Sequence, residues 1–146
     1  MKTYSTQFRV EAEHLDSGNH ANWLIQFKVA QNVHFAFREL LDIGLERLKE
    51  KHELFLVMRT VKDVTFHRQL RLDDLVGIHM TMWVSSRTTL EFRCCFYTGE
   101  KLATEMSWIM PLVSTKTGRP CKIPSWMIDT IGADKPEASP HTPAEK

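Results

Sequence analysis

Trp23-Leu24-Ile25-Gln26-Phe27-Lys28-Val29-Ala30-Gln31-Asn32-Val33-His34-Phe35-Ala36-Phe37-Arg38-Glu39-Leu40 is the stretch on which the fold turns. Ile25, Val29, Val33, Phe37 and Leu40 recur at the spacing of one helical face. Leu24, Phe27 and Phe35 place apolar groups on other faces, and a helix that is apolar over much of its surface is a buried one. The pattern therefore predicts one long central helix from Trp23 to about Leu48, with Gly44 as the place where it is interrupted or ends.

Outward from this helix, the chain reads as strands. On the N-terminal side Phe8, Val10 and Ala12 alternate with Arg9, Glu11 and Glu13, the period of a half-buried strand. On the C-terminal side Leu54 to Phe66 is apolar with loose alternation. Val76, Ile78, Met80, Met82 and Val84 alternate cleanly, as do Leu90, Phe92, Cys94 and Phe96. Thr98-Gly99-Glu100-Lys101 has the composition of a hairpin turn, after which Leu102, Thr104, Met106, Trp108 and Met110 share a face. A sheet with one apolar face needs a cover, and only one long helix is available. The expected architecture is α+β: a curved antiparallel sheet wrapped around that helix. One domain over residues 1–132 is expected, followed by a proline-containing, apolar-poor tail at 133–146 read as disordered.

Composition excludes several classes. A formal net charge of +1, with no basic block, argues against a nucleic-acid partner. No run approaches the roughly 18 apolar residues of a spanning helix, so no membrane partner is expected. Three cysteines, two of them adjacent at Cys94 and Cys95, are poorly placed to pair and point to a reducing, cytoplasmic setting.

Chemistry concentrates in Glu13-His14-Leu15-Asp16-Ser17-Gly18-Asn19-His20-Ala21-Asn22, between the first strand and the helix. Unpaired N–H groups and the helix dipole favour negative charge at that point. A carboxylate beside it could attack a carbonyl or deprotonate water. Capping by Asp16, Asn19 or Asn22 explains the same residues without any chemistry. His14, Asp16 and His20 fit no zinc spacing, and neither metal nor cofactor is expected. Glu91 and Arg93 fit a solvated face; Arg87, Lys116, Arg119 and Lys122 are cations that could meet phosphates.

Leu15-Asp16-Ser17-Gly18-Asn19-His20-Ala21-Asn22 resembles the Leu-Asp-x-x-x-His-x-Asn signature of hotdog-fold thioesterases, the superfamily of 4-hydroxybenzoyl-CoA thioesterase-like hydrolases and plant acyl-carrier-protein thioesterases. Leu72-Asp73-Asp74-Leu75, Thr98-Gly99-Glu100-Lys101-Leu102-Ala103-Thr104, Gly118-Arg119-Pro120 and Ile123-Pro124 continue the resemblance over roughly residues 5–127. It implies hydrolysis of an acyl-CoA or acyl-carrier thioester in a homodimer or homotetramer, with sites at subunit interfaces. By position it implies Asp16 as base or nucleophile and His20 and Asn22 in polarising or orienting roles. Many members have Gly directly before the motif His, where this chain has Asn19, and a small residue or Asn after the motif Asn, where it has Trp23. Glu13 stands as a second candidate acid. Trp23 is expected to pack in the core, with narrowing of an acyl pocket as the alternative. A hydratase or dehydratase on the same fold, built on His20 with Asp16 or Glu13, and a non-catalytic acyl-thioester binder are the competing readings.

Overall fold

The computed structural model describes residues 1–137; residues 138–146, most of the expected tail, lie outside them. Six strands form one sheet: β1 (Lys2–Arg9), β2 (Leu54–Leu56), β3 (Thr60–Phe66), β4 (Leu75–Val84), β5 (Thr89–Thr98) and β6 (Lys101–Ser114). All pairings are antiparallel, in the order β1-β4-β5-β6, with β2 and β3 both on the far edge of β6. The helices are α1 (Trp23–Leu40), α2 (Leu45–His52) and α3 (Ser125–Ile131).

Alternation is what lays the strands down. Met80, Cys94 and Met106 stand in one cross-strand row, and Met82, Phe92 and Trp108 in the next. Every one of these six side chains is buried. α1 packs on that face: the His34 ring lies against Phe92 and Trp108, and Phe37 stacks on Tyr4 of β1. The architecture is the α+β arrangement that the periodicity predicts. At ~25 cal/mol per Å² of apolar surface, burial of this kind is the main force holding it together.

Four local expectations need correction. The first strand stops at Arg9, and Ala12–His14 forms a single 3-10 turn, because Val10 leaves the strand to exchange hydrogen bonds with Asp73 and Asp74. The helix ends at Leu40 rather than near Leu48; Asp42 adopts a left-handed φ of 60° and Gly44 starts α2. Residues 54–66 split into β2 and β3. The stretch after Ile123-Pro124, which carries no helical signal in the sequence, forms α3 with Pro124 as its N-cap.

The buried stripe of α1 is also rotated from the expected one. It runs through Gln26, Ala30, Val33, His34, Phe37 and Arg38, while Trp23, Leu24 and Leu40 are more than half exposed. Polar residues enter the core because partners meet them there. Thr104 Oγ1 donates to Gln26 Oε1, Arg38 Nη1 donates to His34 Nε2, and Arg38 Nε donates to the Ile43 carbonyl. Glu91 likewise is buried rather than solvated, ion-paired at 2.7 Å to Lys62 of β3. Among the described residues, no helix is long and apolar enough to cross a membrane.

Candidate active site

The segment 15–22 is a small closed loop. Leu15 bridges Ala21, Asp16 N–H donates to the His20 carbonyl, and Asn22 N–H donates to the His14 carbonyl. Asp16 Oδ1 accepts from the N–H of Gly18 at 2.8 Å and of His20 at 3.4 Å, which ties the carboxylate to the turn. Asn19 sits at φ 60°, the left-handed region where glycine is unstrained and asparagine is the best-tolerated substitute. That accounts for Asn standing where the resembled signature has Gly.

Asn22 is the N-cap of α1. Its Oδ1 accepts from Leu24 N–H at 2.9 Å and its carbonyl from Ile25 N–H at 3.0 Å. Neither bond takes the N–H of Trp23, the first helical residue. An N-terminus of this kind carries roughly half a positive charge.

Asp16, His20 and Trp23 line one polar cleft of about 890 Å³, together with Gln26 of α1 and residues 66–71. The cleft thus joins two of the three motif residues. Asn22 does not line it; its side chain caps α1. Glu13, three-quarters exposed and beside His14, is not among its lining residues. Trp23 is 56% exposed and lines the cleft rather than the core.

The expected phosphate-binding cations are elsewhere: Arg87, Lys116, Arg119 and Lys122 do not line the cleft, and Lys116 pairs with Glu53. The arginines that do are Arg68 and Arg71, in the connection between β3 and β4. Sequence reading missed them and Gln26, because they reach the site through sheet register and helix rotation and carry no local motif.

The two adjacent cysteines offer no competing nucleophile. Cys94 and Cys95 face opposite sides of β5, both buried, and burial pushes the Cys94 thiol well up and Cys95 to about 11.

A second, apolar cavity of about 430 Å³ lies between α1, β3 and β6, lined by Phe27, His34, Phe35, Val61, Met106 and Trp108 among others. Phe27 contacts Trp23 and Phe66, two walls of the polar cleft, so one aromatic cluster borders both spaces.

This topology recurs among solved structures. A Staphylococcus aureus protein solved in complex with CoA superposes with a TM-score of 0.82 at 16% identity, covering 99% of this chain and 96% of that one. A 1,4-dihydroxy-2-naphthoyl-CoA thioesterase from Synechocystis gives a TM-score of 0.77 at 11% identity, with 92% and 100% covered. The chain has the hotdog fold. A putative oleoyl thioesterase from Lactobacillus plantarum gives a TM-score of 0.82 at 17% identity over 97% of this hotdog chain and 55% of its own length. No protein-family model and no curated protein sequence matches the chain.

Proposed function

We propose that this hotdog chain is a thioester hydrolase acting on an acyl-CoA or acyl-carrier thioester. The observation that carries the reading is convergence: the Asp16 carboxylate and the opening turn of α1 line the same cleft. The thioesterase neighbours of the fold support it.

In this reading the thioester carbonyl lies at the N-terminus of α1. As water or Asp16 attacks, charge grows on the carbonyl oxygen, and the Trp23 N–H and the helix dipole stabilise it. One such donor is worth roughly 3–4 kcal/mol in a transition state. Asp16 takes the proton of the attacking water, or forms an acyl intermediate that water then opens. The departing thiolate is a good leaving group and needs no strong acid. His20 lines the cleft and orients the thioester; Asn22 contributes by capping the helix. The acyl chain passes the Trp23–Phe27–Phe66 rings into the apolar cavity, where Met106 and Met110 adapt to its shape. Asp16 bonds the main-chain N–H of His20 rather than its ring, which favours hydrolysis over a hydratase that needs a carboxylate–imidazole pair. Two copies pair along the free edge of β3.

Release of free thiol, followed with a thiol-reactive dye over short, long and aromatic acyl-CoAs, tests the reading. Turnover in the wild type that disappears in Asp16→Asn supports it. Tight acyl-CoA binding with no thiol released from any CoA or carrier thioester would replace it with a non-catalytic binder.

A further inference from the structure

The connection between β3 and β4 is clamped from three sides. The N–H groups of His67 and Arg68 both donate to the Ala103 carbonyl, at 2.7 and 3.0 Å. Ala21 N–H donates to the Leu70 carbonyl at 2.7 Å, and Leu70 is fully buried. Val10 exchanges main-chain bonds with Asp73 and Asp74, and Arg9 Nη1 donates to the Asp73 carbonyl. These bonds fix the main chain from which the loop's exposed side chains project. Two of them, Arg68 and Arg71, line the polar cleft that Asp16 also lines, and the main chain of Arg71 bridges that of His20.

Neither guanidinium has a carboxylate within 4.0 Å among the described residues, in contrast to Arg47 with Asp42. The acids of the cleft are engaged by main-chain donors instead: Asp16 by Gly18 and His20, Asp74 Oδ2 by the N–H of Arg71 at 2.9 Å. The cleft therefore combines a helix N-terminus with two unpaired planar forks. Guanidinium forks match phosphate oxygens two at a time, which lysine does not.

We infer that Arg68 and Arg71 anchor the phosphates of a nucleotide thioester, so that the substrate is an acyl-CoA rather than an acyl-carrier protein. The inference rests on the hydrolase reading and narrows it. Two cations inside one cleft suit a compact, multiply charged ligand, whereas a carrier protein must be held over a wide surface.

The test compares two substrates with the same acyl group: the acyl-CoA, and the acyl-pantetheine, which has the same thiol arm without phosphates. The expected result is that Arg68→Gln with Arg71→Gln lowers the CoA-over-pantetheine ratio of kcat/KM about tenfold or more, the scale of one or two lost charge-assisted bonds. The wild-type ratio should also fall with added salt, and the variant's should respond less. Arg68→Lys, which keeps charge but loses the fork, should fall between. An unchanged ratio in the double variant overturns the inference, and so does turnover of acyl-carrier protein in preference to acyl-CoA.

Calorimetric binding of CoA itself separates this claim from the hydrolase reading. CoA binding that weakens about tenfold in the folded double variant, with no hydrolysis of any thioester, keeps the phosphate anchor and removes the hydrolase. Hydrolysis of acyl-CoA with CoA affinity equal in wild type and variant does the reverse.

Discussion

Both side-chain hydrogen bonds that tie Asp16 into its turn end on Oδ1. Asparagine at this position retains an oxygen acceptor there and loses only the charge. Asp16→Asn should therefore melt within about 1 kcal/mol of the wild type, while thiol release falls by roughly 10²–10⁴-fold, the usual contribution of a positioned base. Asp16→Ala should lose both, and a melting curve beside the thiol assay distinguishes them. Asn19 yields a second prediction at this scale. Its left-handed backbone makes Asn19→Gly a neutral change, whereas Asn19→Val should cost about 1–2 kcal/mol in chemical denaturation and disturb the turn that holds Asp16. That Asp16 and His20 stand close together was legible because the candidate acid and its turn are contiguous in the chain. Gln26, Arg68 and Arg71 were not, because only the packing of α1 and the pinning of residues 67–71 to β6 bring them to the same cleft.

Strands β4, β5 and β6 were readable because strict alternation specifies both the element and the face it buries. α1 was readable as a helix but not in its rotation, and the reason is the pair His34 and Arg38. Arginine is always a donor, so its Nη1 makes His34 Nε2 an acceptor and fixes the neutral ring with its proton on Nδ1. Burial, and then the nearby Arg38 charge, lower the His34 pKa from 6.5 to about 3. Burial likewise brings Arg38 down to about 10. Among the described residues His34 Nδ1 and Arg38 Nη2 have no protein partner, a cost that hydrophobic packing against Phe92 and Trp108 offsets. The sign of the pH effect follows directly. With its folded pKa depressed, His34 leaves stability intact above pH 6.5. Below that the unfolded chain takes up a proton that the folded one refuses, and stability falls by about 1.4 kcal/mol per pH unit until the folded pKa is reached. Between pH 7.5 and 5 the wild type should thus lose about 2 kcal/mol more than His34→Phe in matched urea titrations. The other histidines are common to both proteins and cancel in the comparison. Equal losses would mean that His34 is protonated in the native state.

At the scale of the whole molecule, the remaining question is what covers its apolar surface. Met58 and Val61 by β3, Phe66 at its end, and Trp23 at the start of α1 are each 45–56% exposed, and each lines one of the two cavities. Among the described residues β3 is also an edge strand, paired on one side to β6, and an open edge is a template for another strand. Clustered apolar side chains beside an unpaired edge are the expected mark of an interface. A two-fold pairing of β3 with its copy would extend the sheet, cover Met58 and Val61, and bring a second chain up to the cleft. Sedimentation equilibrium should accordingly give twice the mass of one chain, or four times it if two such pairs associate. Met58→Asp with Val61→Asp places four like charges at the seam and should shift the equilibrium to single chains, with hydrolysis falling in proportion to the dimer lost. Circular dichroism of the diluted variant checks that the chain itself stays folded. A wild type that sediments as single chains at micromolar concentration would remove the pairing. It would also require the cleft of Asp16, His20 and Arg71 to act as it stands in one chain.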